Sequence, residues 1–493
     1  MTEIKTHSRR NFMQALAVGA GGLVAAGKAS ALPSPAPEKW DEETDIVIIG
    51  AGGAGLTAAV HAVDKKLGVI VLEKLPLVGG SSIICGGGFA VAGTDIQKAL
   101  KIEDSKDLFF KDIMSVGENR NNPAVVRAYV DNALPTYQWM VDHGVVMDKT
   151  KLNANGSARR SVDVDPTSAI TVLRDYATKR GAKILMRTPA ERLAFDNASG
   201  RITGVFAKVK GKTVAIRARK GVLIASGGFA RNKEMLGQYV PRMENSISIC
   251  GLGSNGDGLK MAQAYGADVA DMPYIKGTFG FTTKPSTIAD MNLVFFDGGI
   301  IVNQKGQRFV NESISKKTIG DHALDQAGGV TYQIWDESIR QYALNGGFFI
   351  KRYEDRVKDS LIVGNTIAEV ASKAGLDPAA VEATIKEYNG YVDGGKDLRF
   401  GRTTKTLDFG KIVKIEKAPF YIMPSRTVLL STYCGIKINE KTEVIDVFGK
   451  VIPGLYAAGE VSGGFHGASY LGSTAFGKAL VFGYVAAQVM ANS

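Results

Sequence analysis

A glycine-rich segment near residue 50 carries the clearest chemical signal in the sequence. It reads Gly50-Ala51-Gly52-Gly53-Ala54-Gly55 and directly follows the apolar run 45–49. In a strand-turn-helix unit, Gly50 permits the tight turn, Gly52 lets a pyrophosphate approach the backbone, and Gly55 lets helix and strand pack closely. The spacing therefore predicts a dinucleotide-binding turn.

The residues around this turn have the pattern of a strand, a helix and a second strand. A helical pattern covers residues 56–66, and a second apolar run, Val69–Leu72, ends at Glu73. The start of such a helix presents amide donors and a positive dipole end to phosphates. An acid directly after the second strand is placed to accept hydrogen bonds from ribose hydroxyls.

Three further glycine-rich segments, 75–88, 221–229 and 452–468, add to this signal, and the last leads into a helical pattern over 475–491. A second glycine-rich loop right after the acid is not typical of a simple nicotinamide-binding domain. The chain has 58 glycines against 15 prolines, a surplus that close backbone approach to a cofactor explains. Besides the first motif and Glu73, the residues predicted to line the cofactor are Lys74, Gly80, Ser81, Ser82, Gly87, Gly88, Ala225, Ser226, Gly227, Gly459, Glu460, Ser473 and Thr474.

Composition excludes several classes of protein. The 493 residues are 45% hydrophobic and 22% charged, which excludes a disordered chain or a protein with many membrane spans. Cys85, Cys250 and Cys434 are far apart, so no zinc, haem-attachment or iron–sulfur motif is present and no metal site is expected. The net charge is +11 without any basic block. This favours a solvated surface, with an acidic redox partner as the alternative, and gives no indication of nucleic-acid binding.

The N-terminus has the features of an export signal. Arg9 and Arg10 precede a Gly/Ala-rich apolar run, and Ala29-Ser30-Ala31 follows as a cleavage pattern. Paired arginines in this position are typical of the twin-arginine pathway, which exports folded proteins. We therefore expect a signal peptide over 1–31, a linker over 32–40 and a periplasmic mature protein. The apolar run is too short to span a bilayer, and no later stretch is expected to span one.

Taken together, these blocks resemble the flavoproteins of the fumarate reductase and succinate dehydrogenase family, especially the soluble periplasmic fumarate and urocanate reductases. The block Gly454-Leu-Tyr-Ala-Ala-Gly-Glu460 is the most specific part of the resemblance. It implies an α/β fold in which a Rossmann-like FAD-binding domain, 41–271 and 432–493, is interrupted by an α+β clamp (capping) domain, 272–431. Glu460 would hold the ribityl chain, and the helix from Thr474 would point its positive end at the flavin. The loop 81–85 lacks the histidine to which membrane-bound members attach FAD, so non-covalent FAD is expected.

The resemblance also implies a catalytic acid and shows where this chain departs from the family. The family pattern places an arginine four residues after Arg-Phe-Val-Asn-Glu, and here Lys316 occupies that position after Glu312. Burial lowers the pKa of a lysine, so Lys316 is the predicted proton donor. After His466-Gly467, the family has an arginine where this chain has Tyr470, the position that carries a tyrosine in 3-ketosteroid dehydrogenases. Tyr470 is accordingly predicted to bind a substrate oxygen together with the amide of Thr474.

Other family positions for substrate binding are also replaced. The paired histidines correspond to Leu430 and Ser431, with Tyr433 following, and the clamp histidine corresponds to Thr278, beside Phe279. A dicarboxylate buried without such cations is strongly disfavoured. These positions, with His466 and Tyr470, are the predicted substrate contacts, and Arg426 or Lys276 is the candidate to pair a single carboxylate.

The sequence thus predicts an exported, FAD-dependent reductase of an activated C=C bond, acting in anaerobic respiration on a larger or aromatic enoate or enone rather than fumarate. Because the chain has neither haem nor cluster motifs, electrons are expected from a separate partner, most simply a periplasmic c-type cytochrome. The alternatives are a flavoenzyme like the 3-ketosteroid dehydrogenases and a flavin electron-transfer subunit without its own substrate.

Overall fold

The apolar run ahead of the glycine-rich turn belongs to a strand, Glu42–Ile49, whose two neighbours in the sheet are parallel to it. Val69–Leu72 pairs with it in parallel on one side and Lys212–Ile224 on the other. Residues 46–49 are all buried, which is the pattern of a parallel strand covered on both faces. The segment that follows turns sharply at Gly50 and enters a helix, so the predicted strand, helix and second strand are all present.

The computed structural model describes residues 34–150, 152–345, 357–406 and 409–493. The predicted signal peptide, 1–31, lies outside the described residues. The α-helices described are α1 Gly53–Asp64, α2 Asp95–Ala99, α3 Lys106–Val116, α4 Pro123–Asp142, α5 Pro166–Lys179, α6 Lys233–Tyr239, α7 Asp257–Gln263, α8 Lys316–Leu324, α9 Glu337–Asn345, α10 Ile367–Lys373, α11 Pro378–Asp393 and α12 Thr474–Asn492. The strands are β1 Ser34–Pro35, β2 Glu42–Ile49, β3 Val69–Leu72, β4 Gly88–Ala90, β5 Asn153–Asn155, β6 Ala158–Asp163, β7 Lys183–Leu185, β8 Ala190–Asp196, β9 Arg201–Val209, β10 Lys212–Ile224, β11 Val269–Ala270, β12 Thr278–Phe281, β13 Ile300–Val302, β14 Val330–Asp336, β15 Ile362–Gly364, β16 Thr404–Thr406, β17 Phe409–Lys411, β18 Phe420–Val428, β19 Gly435–Ile436, β20 Glu443–Ile445 and β21 Val451–Ala457.

Strand β10 joins two parts of the largest sheet. Its first half pairs antiparallel with β9, and its last residues pair parallel with β21. The order across the sheet is β1-β8-β9-β10-β2-β3-β7; β21 also pairs with β10, and β20 pairs with β21. Since β21 comes from the end of the chain, the C-terminal segment completes the same sheet that the N-terminal segment begins.

The intervening chain forms a second sheet with its own cores. Its order is β12-β18-β14-β13, with β15 attached to β18. One core surrounds Trp335 and Ile422, and another is an aromatic cluster that contains Phe279, Phe281 and Phe295. The short antiparallel pair β11–β19 lies where the chain enters and leaves this region. The predicted domain boundaries at 271 and 432 fall beside this pair, although residues Pro33–Ser493 form one compact unit.

The last helix corrects one expectation. α12 has 19 residues and a mean hydropathy of 1.3, so by length and composition alone it is sufficient to cross a membrane, contrary to the prediction that no later stretch is. It packs tightly against α1, because a Cβ on Gly483 would lie 2.3 Å from the carbonyl oxygen of Ala54. With 72% of its apolar window buried, it is a core helix, a class that passes the same test.

Candidate active site

The three spaced glycines of the predicted dinucleotide turn have different surroundings. A Cβ on Gly50, whose φ is +108°, would lie 2.4 Å from the Ala225 carbonyl oxygen, and a Cβ on Gly55 would lie 2.0 Å from the Gly50 carbonyl oxygen. A Cβ on Gly52 would meet no described atom closer than 3.8 Å. The turn and the helix contact therefore require two of the glycines, whereas a side chain on Gly52 would fit, so its absence there leaves room for a phosphate to approach the backbone.

The two helices beside the predicted cofactor segments begin without a side-chain cap. α1 follows Gly52, and α12 follows Ser473, whose backbone is left-handed with φ +61°. By contrast, α3, α4 and α5 begin with the capping side chains of Ser105, Asn122 and Asp165. Uncapped N–H groups at a helix start donate well to the anionic oxygens of a ligand.

Glu73 follows β3 and organises the turn ahead of α1. Its carboxylate accepts the Ala51 N–H at 3.0 Å and the Leu75 N–H at 2.8 Å, and the side chain is buried. A carboxylate has about four acceptor positions. Two of them therefore remain for ribose hydroxyls, as the sequence predicts.

The second glycine-rich loop folds onto the first. Ser82 Oγ accepts the Gly53 N–H at 3.1 Å, and Ser81 Oγ accepts the Gly251 N–H at 3.0 Å. A Cβ on Gly80 would have nothing within 4 Å, so this loop also leaves its backbone approachable.

The later segments reach the same place from the other end of the chain. A Cβ on Gly459 would lie 3.0 Å from the Cβ of Ala54, and Glu460 accepts the Thr432 N–H at 3.0 Å. The Ser226 hydroxyl is buried without a hydrogen-bond partner among the described residues. A buried orphan hydroxyl is costly unless a ligand pairs with it.

The remaining predicted cofactor residues belong to the same loops. Lys74 forms an ion pair with Asp257 at 2.5 Å, and a Cβ on Gly88 would lie 2.4 Å from Ser473 Oγ. The last four predicted cofactor residues are sequence neighbours of Gly88, Ser226 and Ser473, namely Gly87, Ala225, Gly227 and Thr474. The orphan hydroxyl of Ser226 and the room left at Gly52 and Gly80 fit a bound dinucleotide, whose ribose Glu73 would hold and whose other end Glu460 would hold.

A lysine that the sequence prediction missed, Lys317, lies at the centre of the residues predicted to contact the substrate. Lys317 is only 2% exposed, and its Nζ donates to Thr278 Oγ1 at 2.6 Å, Tyr433 Oη at 3.2 Å and the Lys276 carbonyl oxygen at 3.3 Å. Burial, and then the charge of Lys316, hold the pKa of Lys317 well below its usual range. The only sequence signal for it was a second lysine directly after the position predicted from the family.

Lys316, the predicted proton donor, is the first residue of α8 and is half-buried. Burial lowers its pKa to about 8. The described hydrogen bonds to Thr278 and Tyr433 come from Lys317, so the structure brings the neighbouring lysine into this cluster. The catalytic role of Lys316 stays a prediction.

Three aromatic side chains complete the cluster. The rings of Tyr433 and Tyr470 are stacked with centroids 4.8 Å apart, and the His466 ring meets both edge-on at 5.2 Å and 5.5 Å. Burial raises the pKa of Tyr470 to about 12, although the backbone N–H groups at the start of α12 oppose this. Burial, with the charges of Lys478 and Lys317, lowers the pKa of His466 well below its usual range, so this imidazole is neutral near pH 7.

The other predicted substrate residues divide between the cluster and the core. Thr278 contacts Lys317, whereas Phe279 is fully buried and packs against Phe295 at 5.6 Å. Leu430 is half-buried and packs against the same aromatic cluster as Phe279. Ser431 is half-buried in the segment that returns from β18. In this conformation Phe279 therefore contributes to the core and not to the cluster.

A network of buried charges holds the Arg308 to Glu312 motif in place. Arg308 pairs with Glu312 at 2.5 Å and with Asp397 at 2.7 Å, and Arg402 reaches Glu312 at 3.3 Å. All four side chains are almost completely buried. Because α8 begins four residues after Glu312, this network fixes the position from which Lys317 extends.

Unusual backbone conformations concentrate around the same site. Tyr433 has φ +59°, Ser473 has φ +61° and Asp271 has φ +65°. Such a conformation is rare for a bulky residue and marks stored strain. Asp271 accepts the N–H of Gly464 at 2.8 Å, just ahead of His466.

Comparison with known proteins identifies the family. The FAD binding domain family matches residues 45–475. A fumarate reductase (cytochrome) of Shewanella frigidimarina is 33% identical over 460 residues, which cover 92% of this chain and 77% of that protein. The acrylate reductase flavoprotein subunit of Shewanella woodyi is 31% identical over 513 residues, with 98% of each chain covered.

Two solved structures have the same architecture. The open conformation of a flavocytochrome c3 fumarate reductase superposes with a TM-score of 0.78 and 28% identity, over 99% of this chain and 81% of that one. The 3-ketosteroid-Δ4-(5α)-dehydrogenase of Rhodococcus jostii RHA1 superposes with a TM-score of 0.77 and 25% identity, over 94% and 100%. These likenesses confirm the predicted fold class and FAD as the cofactor. The chain therefore belongs to the FAD binding domain family of fumarate reductase-like flavoproteins and is an FAD-dependent oxidoreductase that acts on C=C bonds.

Proposed function

We propose that this protein reduces the activated C=C bond of a monocarboxylic enoate or an enone that is larger than fumarate and partly aromatic. The observation that carries the proposal is the composition of the cluster: the buried Lys317 contacts the neutral side chains of Thr278, Tyr433 and Tyr470, and its Nζ already has three hydrogen-bond partners in the protein. The cluster therefore offers few charges to a substrate, which suits a monocarboxylate or a neutral carbonyl, whereas a buried dicarboxylate needs several cations. The likeness to an acrylate reductase subunit, named for a monocarboxylate, supports the same class.

Each part of the site has a role in such a reaction. FAD, when bound and reduced, supplies the hydride. Tyr470 lies four residues before the start of α12, and backbone N–H groups of Ser473, Thr474 and Ala475 face its hydroxyl. The Tyr470 hydroxyl, polarised by these groups, binds the carbonyl or carboxyl oxygen and stabilises the charge that develops there. The stacked faces of Tyr433 and Tyr470 provide an aromatic wall, and the start of α8 carries the lysines from which the proton is drawn.

Tyr470 also favours one competing function. A tyrosine next to helix amides is suited to polarise a ketone, and the likeness to a 3-ketosteroid dehydrogenase extends over 94% of this chain. In this second candidate the protein oxidises a saturated ketone substrate and passes electrons outward.

Export and electron supply are part of the proposal. The paired arginines Arg9 and Arg10 support export by the twin-arginine route and a periplasmic location in anaerobic respiration. A separate c-type cytochrome would deliver the electrons. The absence of histidine from the loop 81–85 supports non-covalent FAD, which acid precipitation would release into the supernatant.

One substrate panel on the purified, FAD-loaded protein tests these functions. The reductase is expected to oxidise dithionite-reduced methyl viologen with acrylate, cinnamate or an enone, and only slowly with fumarate. Fastest turnover with fumarate would refute the proposed substrate class. Dye reduction by saturated ketosteroids would favour the second candidate, and no turnover in either direction would indicate an electron-transfer subunit.

Tyr470→Phe tests the oxygen-binding role within the same assay. It is expected to lower kcat/KM about 10²-fold or more, as loss of one oxyanion donor typically does. Tyr342→Phe, an exposed tyrosine 49% accessible, is the matched control. Equal activity of the two variants would remove Tyr470 from the reaction.

A further inference from the structure

The surroundings of Lys317 account for every proton of an ammonium group. Nζ has three hydrogen-bond partners, the Lys276 carbonyl oxygen, Thr278 Oγ1 and Tyr433 Oη. A lysine ammonium has three donors and no acceptor. When Lys317 is charged, Tyr433 is therefore the acceptor in their contact, and its own hydroxyl proton is left for another group.

No acceptor for that hydroxyl proton is found in the part of the chain that the structure describes. The Tyr433 ring lies against Tyr470, the residue that binds the substrate oxygen in the proposed reaction, with an angle of 22° between the rings. Lys317 Nζ also lies 4.6 Å from the centre of the Tyr433 ring. The strained backbone of Tyr433, φ +59°, persists only where its surroundings hold it, which is typical of functional sites.

We propose that Tyr433 is the catalytic acid that protonates the substrate, and that Lys317, not Lys316, returns the proton to Tyr433. This assignment rests on the proposed reductase function. Reduction of a polarised C=C bond places a hydride on the β-carbon and leaves the electron pair of the double bond at the α-carbon. The Tyr433 O–H bond then breaks and an α-C–H bond forms. The phenolate takes a proton from the Lys317 ammonium, and the resulting amine is recharged from solvent.

The pKa of Tyr433 is raised and that of Lys317 is lowered, which favours proton transfer from the Lys317 ammonium to the Tyr433 phenolate. Burial raises the pKa of Tyr433 well above its usual value, so the phenol is protonated at neutral pH and its phenolate is strongly basic. Burial lowers the pKa of Lys317, so its ammonium gives up a proton readily. Charged or titratable groups face Lys317 from every side. Lys316 and Asp321 lie on its own helix, and Lys276 lies just before β12. Tyr433 follows β18, and His466 and Tyr470 precede α12. Arg242, which pairs with Asp321, adds to this set.

Lys276 lies between Lys317 and the surface. Its carbonyl oxygen accepts from Lys317 Nζ, while its own side chain is 20% exposed and its Nζ lies 3.9 Å from a Glu118 carboxylate oxygen. The cluster is therefore only one residue deep on this side, which is the side from which solvent recharges the amine.

The activity test uses FAD-loaded protein and the best substrate from the viologen panel. Tyr433→Phe, which removes only the hydroxyl, is expected to lower kcat by about 10²-fold or more. Lys317→Met should lose more activity than Lys316→Met. Lys317→Arg keeps a donor but cannot deprotonate, so it should not restore turnover. Tyr342→Phe and Lys373→Met, both exposed, are the matched controls.

The pH profile separates proton return from a structural role. Because the ammonium form is required, kcat should fall as pH rises through the lowered pKa of Lys317, and this limb should disappear in Lys317→Met. Full turnover in Tyr433→Phe would overturn the proposal, as would a larger loss in Lys316→Met than in Lys317→Met. If the wild-type protein reduces no enoate or enone, the proposed function fails instead.

A second measurement does not depend on turnover. In holoenzyme labelled with [ε-¹³C]lysine, the NMR signal absent from Lys317→Met should titrate below the usual lysine range. It should shift in pKa in Tyr433→Phe but not in Tyr342→Phe. A Lys317 signal with the ordinary lysine pKa, or one indifferent to Tyr433→Phe, would overturn the proposal even if the variants lose activity. Thermal unfolding and the flavin spectrum of each variant show whether it has folded.

Discussion

Two alanine substitutions in one turn should have opposite effects on folding and on FAD binding. A Cβ on Gly55 would lie 2.0 Å from the Gly50 carbonyl oxygen, about 1.4 Å short of the 3.4 Å at which ordinary contact begins. Relief of this clash requires α1 to move away from β2 in a fully packed core. Overpacking of this kind costs about 2 kcal/mol, so Gly55→Ala should lower the Tm of the apoprotein by about 2 °C.

Gly52→Ala is the matched opposite. Gly52 has φ −82° and ψ −171°, which alanine adopts without strain, and its Cβ would meet nothing closer than 3.8 Å. The apoprotein should therefore keep its Tm. The added methyl group occupies the space through which the pyrophosphate approaches the start of α1. Loss of one hydrogen bond to a charged group costs about 1.5–3 kcal/mol, or about 10- to 150-fold in Kd.

Apoprotein prepared by removal of flavin with concentrated bromide permits both measurements. FAD is titrated against each variant and followed by the quenching of flavin fluorescence, while Tm is measured without FAD. The expected pattern is normal Tm with weak FAD binding in Gly52→Ala, and lowered Tm in Gly55→Ala. Normal FAD affinity in Gly52→Ala would show that the pyrophosphate does not pass this glycine, and the assignment of the turn would be wrong.

Three further predictions concern stability and the cofactor. Ser226→Ala removes a buried hydroxyl without a described partner, so the apoprotein Tm should be kept or slightly raised while FAD binds about tenfold more weakly; unchanged affinity would show that the cofactor does not reach Ser226. Although burial opposes its ionisation, Arg308 holds the pKa of Asp397 below its usual range. Asp397→Asn should therefore lower the free energy of unfolding by about 3 kcal/mol at pH 7, whereas the exposed Asp393→Asn should cost little. In the wild type this contribution should be lost as pH falls through the lowered pKa of Asp397. Burial lowers the pKa of His61 from 6.5 to about 4, so the unfolded chain binds more protons between these two pH values. The free energy of unfolding of the wild type should therefore fall by about 3 kcal/mol from pH 6.5 to 4. His61→Phe should flatten this dependence of stability on pH, and an unchanged dependence would assign it to other groups.

The cofactor side of the site could be predicted because its chemistry is local. Gly50, Gly52 and Gly55 follow an apolar strand at fixed spacing, and a turn between a strand and a helix needs no distant residue to define it. α1 begins at Gly53, three residues earlier than its apolar pattern indicated, because glycines inside the motif carry no hydrophobic signal.

The substrate side could not be predicted in the same way because single-residue register decides it. Lys316 and Lys317 are adjacent in α8, and successive side chains on a helix point about 100° apart. A family alignment identified the first, whereas the contacts to Thr278 and Tyr433 come from the second. In β12, Thr278 and Phe279 point to opposite faces, since side chains alternate along a strand. Thr278 therefore contacts Lys317, whereas Phe279 packs on Phe295 in the core.

The sequence by itself determined the class of protein, the FAD-binding turn and the loss of the family's substrate-binding cations, because each is written in contiguous residues. Tertiary structure alone decided which lysine lies beside Tyr433, that Tyr433 stacks on Tyr470, and that Phe279 belongs to the core. These contacts join β12, α8 and the segment after β18, which are separated by 39 to 116 residues. Such proximity results from the packing of the second sheet and its buried charges, a collective property that no local pattern of residues specifies.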